Sequence, residues 1–333
     1  MPLPEFLKDT DLDLALAAKL LRGGEIVALP TETVYGLAAD ALNAEAVAKI
    51  FAAKGRPLID PLIVHVADLE SVEKLAGAPP MLSRLAEAFW PGPLTVVLEK
   101  KEIVPGLVTA GLPTVAVRMP AHPVIRKVLW KMGGVLAAPS ANPFGYISPT
   151  EARHVRDSLG EKAPWIVDGG PCLHGLESTI LHLADSAGPR LLRPGPVSRE
   201  QLEAVLGCPV LAGGAKEKAD GEAQTAPGML TKHYSPRAAV VLREAGAPPR
   251  LEGKFSAKEI AVVWQRRPAE KTPGAEDFWL SEDGDPATAA RNVFALLRRL
   301  DGAGFAELQV ELAEERGVGV ALNDRLRRAA ARA

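Results

Sequence analysis

Apolar positions recur along this chain at two spacings, and their alternation predicts an α/β protein. Behind Thr10-Asp11-Leu12-Asp13, which resembles a capping box with Asp in place of Glu, Leu14, Leu16, Ala17, Leu20 and Leu21 follow at helical spacing until Gly23-Gly24. The next apolar run, Glu25-Ile26-Val27-Ala28-Leu29, has strand length and ends at Pro30. Asn43 caps a second predicted helix, with Val47, Ile50 and Phe51 on one face and Lys54-Gly55 at its end. Further strands are predicted at residues 62–66, 94–98, 115–118, 135–138, 165–167, 179–183 and 190–192. Helices are predicted from Pro79-Pro80 to Ala88 and at 124–131, 151–159 and 199–206. Some strands follow one another directly and others are separated by a helix. That order predicts a twisted, mixed sheet with helices on its faces rather than a purely parallel array.

The pattern lapses after Pro209. Residues 212–226 are mostly Gly, Ala, Lys, Glu and Asp without an apolar period, and read as a flexible linker. Strands return at 240–242, 260–263 and 308–312 around a long helix at 287–299, so a smaller α/β, Rossmann-like domain is expected. The expected division is residues 1–208, a linking segment 209–236, and 237–333. The small unit contains no GxGxxG or GxxxxGK[ST], so a dinucleotide or P-loop site there lacks support.

Composition narrows the function classes. The chain has 333 residues, 47% apolar and 24% charged, with a formal net charge of −2. No global basic field advertises nucleic acid or a membrane, so any RNA contact would be local. Cys172 and Cys208 form no CxxC pair, which suits a reducing cytosol and excludes a structural zinc built on cysteines. There is no signal-peptide core and no run of membrane-spanning length, so the expectation is a cytoplasmic protein without a membrane partner.

The candidate chemistry sits in Pro- and Gly-punctuated loops. Pro30-Thr31-Glu32-Thr33-Val34-Tyr35-Gly36-Leu37 leaves the end of the first predicted strand, where open α/β sheets hold ligands. Lys54 and Arg56 offer a compact charge and a planar fork to phosphate oxygens. Ser140 and Asn142 are bracketed by Pro139 and Pro143, although an ordinary Ser/Asn turn would look the same. His65 lies inside an apolar strand, where a packed histidine is commoner than a catalytic one, and no His/carboxylate cluster points to zinc. Arg118 closes an apolar strand and must reach solvent or a partner such as a ligand carboxylate. Asp168-Gly169-Gly170, Leu176-Glu177-Ser178-Thr179 and Arg193-Pro194-Gly195 add further loops of this kind. Tyr35, Tyr146 and Tyr234, the three tyrosines, all fall in such loops, which favours a ligand-facing role. Arg325-Leu326-Arg327-Arg328 reads as a solvated basic tail on a C-terminal helix.

PTETVYGL, KGRP before PLIVHV, PGPLTVVL, VAVRMP, APSAN, ESTI, RPG and HYSP occur in this order. Together they resemble the Sua5/YrdC family, the L-threonylcarbamoyladenylate synthases, and the small C-terminal unit matches its longer Sua5 branch. The resemblance implies a YrdC-like catalytic domain, and a KHYSP segment that folds back over the site as a lid. It implies an enzyme that converts L-threonine, bicarbonate and ATP into threonylcarbamoyl-AMP and pyrophosphate. That product would serve t6A modification at position 37 of tRNAs reading ANN codons, through downstream transfer proteins, with tRNA contact weak or indirect. By motif, Thr33, His65, Arg118, Ala138 and Ser178 would line the threonine pocket. Lys54, Arg56, Asp60, Thr114, Ser140, Asn142, Ser148, Arg193 and Tyr234 would surround ATP, with Lys54, Arg56, Ser140 and Asn142 carrying the chemistry. Mg²⁺ would accompany the nucleotide, with no protein metal ligands assigned. Asp60 departs from the Asn expected in KGRPxxNPL, and a carboxylate beside phosphates needs a cation or a ribose to face. The competing reading is a module that binds structured RNA and keeps a vestigial nucleotide site, and a non-catalytic nucleotide sensor is a third.

Overall fold

The computed structural model describes residues 6–213, 223–228 and 233–331. The larger unit begins β1 (Phe6–Lys8), α1 (Asp11–Arg22), β2 (Val27–Leu29), β3 (Gly36–Asp40), α2 (Ala44–Lys54), β4 (Ile63–His65), α3 (Leu69–Leu75) and α4 (Pro80–Phe89). It continues β5 (Leu94–Glu99), β6 (Thr114–Arg118), α5 (Pro123–Met132), β7 (Leu136–Ala137), α6 (Ala152–Leu159), β8 (Trp165–Asp168), β9 (Thr179–His182), β10 (Arg190–Arg193) and α7 (Arg199–Leu206). Its ten described strands pair in the order β1-β8-β2-β3-β7-β4-β6-β5-β9-β10. Parallel β4–β6 lies beside antiparallel β5–β6, so the sheet is mixed, as the element order predicts.

Local chemistry sets the helices that frame the site. The Thr10 hydroxyl accepts the Asp13 N–H at the start of α1, whose Leu14, Ala17 and Leu21 share a core with Val124, Val128 and Leu129 of α5. The Asn43 side chain caps α2 by accepting from Glu45 and Ala46. Gly55 ends α2 at φ 62, a left-handed conformation that costs a residue with a Cβ about 1–2 kcal/mol. The reversal leaves both Lys54 and Arg56 buried, although a Lys-x-Arg loop reads as surface.

The smaller unit consists of β11 (Ala239–Arg243), β12 (Ile260–Arg266), β13 (Glu276–Ser281), α8 (Pro286–Ala303), β14 (Glu307–Glu311) and α9 (Val318–Ala330). Its strands pair in the order β11-β14-β12-β13, all parallel among the described residues. Residues 214–222 of the expected linker and Lys232 of KHYSP lie outside the described residues.

One expectation is overturned here. Arg325 does not belong to a solvated tail: it is about 1% exposed, because α9 packs its Leu322, Leu326 and Arg325 side inward. No helix among the described residues is long and apolar enough to cross a membrane.

Candidate active site

Parallel pairing of β4 with β6 places His65 directly beside Arg118. The backbone leaving β7 crosses next to them, with Ala138 N–H bonded to Ile63 O and Ser140 bridged to Gly36. At the start of β9, the Arg193-Pro194-Gly195 turn presses on the chain so closely that a Cβ on Gly195 would lie 2.3 Å from Thr179 N. Only glycine fits that approach, which brings Arg193 onto Ser178. A cavity of about 40 Å³ opens where these segments meet.

All five residues expected around threonine (Thr33, His65, Arg118, Ala138 and Ser178) line this cavity, as do Arg56, Ser140, Arg193 and Tyr234 from the set expected around ATP. Lys54 stands immediately behind, its Nζ donating to Ser140 O and Asn142 O at 2.5 Å each. The Asn142 amide nitrogen donates to Pro143 O and Tyr146 O, while its Oδ1 is buried without a partner. The Ser148 hydroxyl donates to Glu177 at 2.5 Å. Asp60 lies 2.9 Å from Arg56 Nη2, so the carboxylate that departs from the family pattern faces a cation. Like Lys54, the residues Asp60, Asn142 and Ser148 do not line the cavity itself, and Thr114, which begins β6 opposite Glu99 and four residues from Arg118, does not line it either.

Reading the sequence alone leaves several site residues without a role. Glu32 accepts from Arg118 Nη2 at 2.5 Å, and Thr33 accepts from Arg118 Nη1 at 2.9 Å. Glu177 and His233 line the cavity with Pro227 and Gly228. A carboxylate within an otherwise apolar and hydroxyl-rich motif, as in PTETVYGL and LEST, was the available signal, since such a charge needs a buried partner. The tyrosines divide. Tyr35 is a packing residue beneath the loop, its hydroxyl donating to Gly170 O and accepting Gly169 N–H. Tyr146 donates to Asp301 on α8, and only Tyr234 reaches the cavity.

The electrostatics follow from burial. Burial works against an ionised Glu32, but Arg118 outweighs it and holds the carboxyl below its ordinary range. Burial, then the neighbouring Arg118 charge, pulls His65 down to about 3, so this imidazole is neutral and its Nδ1 is unpartnered. Burial and the Arg56 charge push Lys54 well below an ordinary lysine. Asp60 is pushed up by burial against the pull of Arg56. Tyr234 is raised to about 12 by burial and then by Glu177; its hydroxyl has no partner, and its φ of 61 is unusual for a bulky residue.

The arrangement is that of an anion site beside a small polar pocket. A family profile described as "Telomere recombination", that of the Sua5, YciO and YrdC proteins, matches residues 19–195. The chain belongs to the Sua5/YrdC family. A second Sua5 profile, described as "Threonylcarbamoyl-AMP synthase, C-terminal domain", matches residues 197–331. The chain is 41% identical to threonylcarbamoyl-AMP synthase of Pyrococcus abyssi, over 95% of this chain and 93% of that one. It is also 41% identical to threonylcarbamoyl-AMP synthase of Bacillus subtilis, over 97% and 94% of the two chains. Among solved structures it is similar to Pyrococcus abyssi Sua5 complexed with L-threonine, with a TM-score of 0.86, 39% identity, and coverage of 97% and 96%.

Proposed function

We propose that this protein is a threonylcarbamoyl-AMP synthase, using L-threonine, bicarbonate and ATP and releasing pyrophosphate. One observation carries the reading: Thr33, His65, Arg118, Ala138 and Ser178 meet Arg56, Ser140, Arg193 and Tyr234 at a single buried cavity. Relatives matching nearly the whole chain bear that name, and one was solved with L-threonine.

The chemistry suits the residues. The threonine amine attacks bicarbonate or CO₂, giving a carbamate with loss of water in the first case. A carbamate oxygen then attacks the α-phosphorus and pyrophosphate leaves, so no protein nucleophile is needed and positioning dominates. Arg118 uses one hydrogen bond each to Gly92 O, Thr33 and Glu32, leaving two of its five N–H groups for a ligand carboxylate. Neutral His65 next to it can hydrogen-bond the threonine without adding charge. Lys54, Arg56 and Arg193 supply the positive field for the phosphates.

Among the described residues no group of three or more His, Cys, Asp or Glu side chains could hold a metal ion. With Asp60 held by Arg56 and Glu177 by Arg325, this donor set suits Mg²⁺ carried in on the triphosphate. Bound there, Mg²⁺ would neutralise phosphate charge.

A volume of about 40 Å³ holds only a few waters and is too small for a nucleotide. Pro227, Gly228, His233 and Tyr234 line it, and a lid carrying them would withdraw to admit ATP. The product would pass to downstream proteins of t6A synthesis, with tRNA contact weak or indirect. Incubating the protein with ATP, Mg²⁺, bicarbonate and L-threonine should release pyrophosphate, and omitting any one component should stop it. Pyrophosphate release that ignores threonine and bicarbonate would refute the assignment.

A further inference from the structure

Arg325 belongs to α9 of the smaller unit, yet its guanidinium ends inside the larger one. Its Nε donates to Glu177 at 2.8 Å, its Nη2 to Pro194 O at 3.0 Å, and its Nη1 to Asp324 at 2.5 Å. The guanidinium carbon stands 5.4 Å from the centre of the Tyr234 ring. Glu177, the residue it grips, lines the cavity and immediately precedes Ser178. Ser178 in turn accepts from Arg193 through both its carbonyl (3.1 Å from Nε) and its hydroxyl (3.2 Å from Nη2).

We propose that Arg325 is a positioning residue for nucleotide binding, neutralising and anchoring Glu177 so that this carboxylate neither captures Arg193 nor repels the triphosphate. The proposal rests on ATP being the substrate, and it assigns the smaller unit a part in the active site. The groups around Glu177 are Arg325 and Asp324 from α9, Arg193 from β10, Lys54 from α2, the Ser148 hydroxyl, and Tyr234. Burial works against the charge on Glu177, and Arg325 ahead of Arg193 holds its carboxyl below the ordinary value. Without Arg325, the nearest remaining cations are Arg193 and Lys54, the side chains the phosphates need.

The test uses the full chain and steady-state pyrophosphate release, with the parent protein measured alongside. A parent that makes no threonine-dependent pyrophosphate would refute the assigned reaction and leave the Arg325 contacts to be read by ATP binding alone. Arg325→Met should raise the ATP KM at least tenfold and change the threonine KM less than about threefold. Its ATP KM should fall more steeply than the parent's as the pH is lowered from 8 to 6, because protonating Glu177 removes the repulsion; the parent should show only the shallower slope that Lys54 and the nucleotide themselves give. Adding Glu177→Gln to Arg325→Met should restore the ATP KM to within about threefold of Glu177→Gln alone. Arg325→Gln, which keeps a donor and drops the charge, carries the same three readings if the Met variant does not fold. Equal losses of threonine and ATP affinity, with no recovery from Glu177→Gln, would reduce Arg325 to a structural contact and overturn the proposal.

Discussion

Around Arg118 nearly all the buried polar groups answer one another, whereas around Tyr234 several do not. At the first end, Arg118 bonds Glu32, Thr33 and Gly92, and Thr31 ties the same loop through Thr33 and Val34; His65 Nδ1 is the one orphan. At the other end, among the described residues, Asn142 Oδ1, His233 Nδ1 and the Tyr234 and Ser235 hydroxyls are buried without a hydrogen-bond partner, while Asp60 is held by Arg56. Native interiors leave few such groups, and clusters of them mark places where something else completes the bonding. The pocket expected for the small amino acid is thus organised by the protein alone. The side expected for the nucleotide keeps polar atoms that the protein itself does not bond and that a polar ligand can use.

Breaking the finished end should therefore cost stability first. Arg118→Met leaves Glu32 buried beside no cation, and loss of one partner from a buried pair costs about 3–5 kcal/mol. Urea unfolding of the parent and the variant at pH 7 measures it; a loss under about 1 kcal/mol would mean that the pair organises nothing. The sign with pH is fixed by the lowered Glu32 value. The contribution of the pair is complete above the ordinary carboxyl value of 4.5 and disappears as pH falls through the lower folded value, so the curves should converge in acid.

Breaking the unfinished end should cost activity instead. Lys54→Met removes a cation whose charged form is disfavoured by burial but also its hydrogen bonds to Ser140 O and Asn142 O, so the melting midpoint should fall less than that of Arg118→Met. Loss of one preorganised charged donor should slow pyrophosphate release roughly a hundredfold, about 3 kcal/mol of barrier. The depressed Lys54 value adds a calorimetric signature. A triphosphate favours the protonated amine, so ATP binding near pH 9 should take up a proton in the parent and less in Lys54→Met. Equal proton uptake in both proteins would show that Lys54 is already charged in the free enzyme.

The same contrast explains what could be read from the chain without coordinates. Helices α1, α2 and α5 announce themselves through apolar spacing and their caps or stops, which are local properties. Strand β3 was missed because Gly-Leu-Ala-Ala-Asp has no β-branched or aromatic residue, and its strand character comes from pairing with β2 and β7. Ordered motifs exposed most of the cavity lining, since each motif supplies its own side chain to a shared space. Glu177–Arg325 could not be read, because its partners are 148 positions apart and Arg325 sits in a basic run that looks like solvated surface. Nothing local distinguishes Arg325 from Arg327, yet the former is buried and the latter has a half-exposed side chain.

Tyr234→Phe gives the smallest and sharpest version of the contrast. Among the described residues the hydroxyl has no hydrogen-bond partner, so deleting it breaks no bond and should leave the unfolding free energy unchanged or slightly raised. The ring stays stacked on Phe294, 5.4 Å between centres, so that packing is kept. If the hydroxyl instead meets the nucleotide, its loss removes one hydrogen bond of about 0.5–1.5 kcal/mol, a rise of roughly two- to tenfold in the ATP KM. A stability loss above about 1 kcal/mol with unchanged ATP affinity would invert the expectation, making Tyr234 a packing residue and leaving its hydroxyl unrelated to the nucleotide.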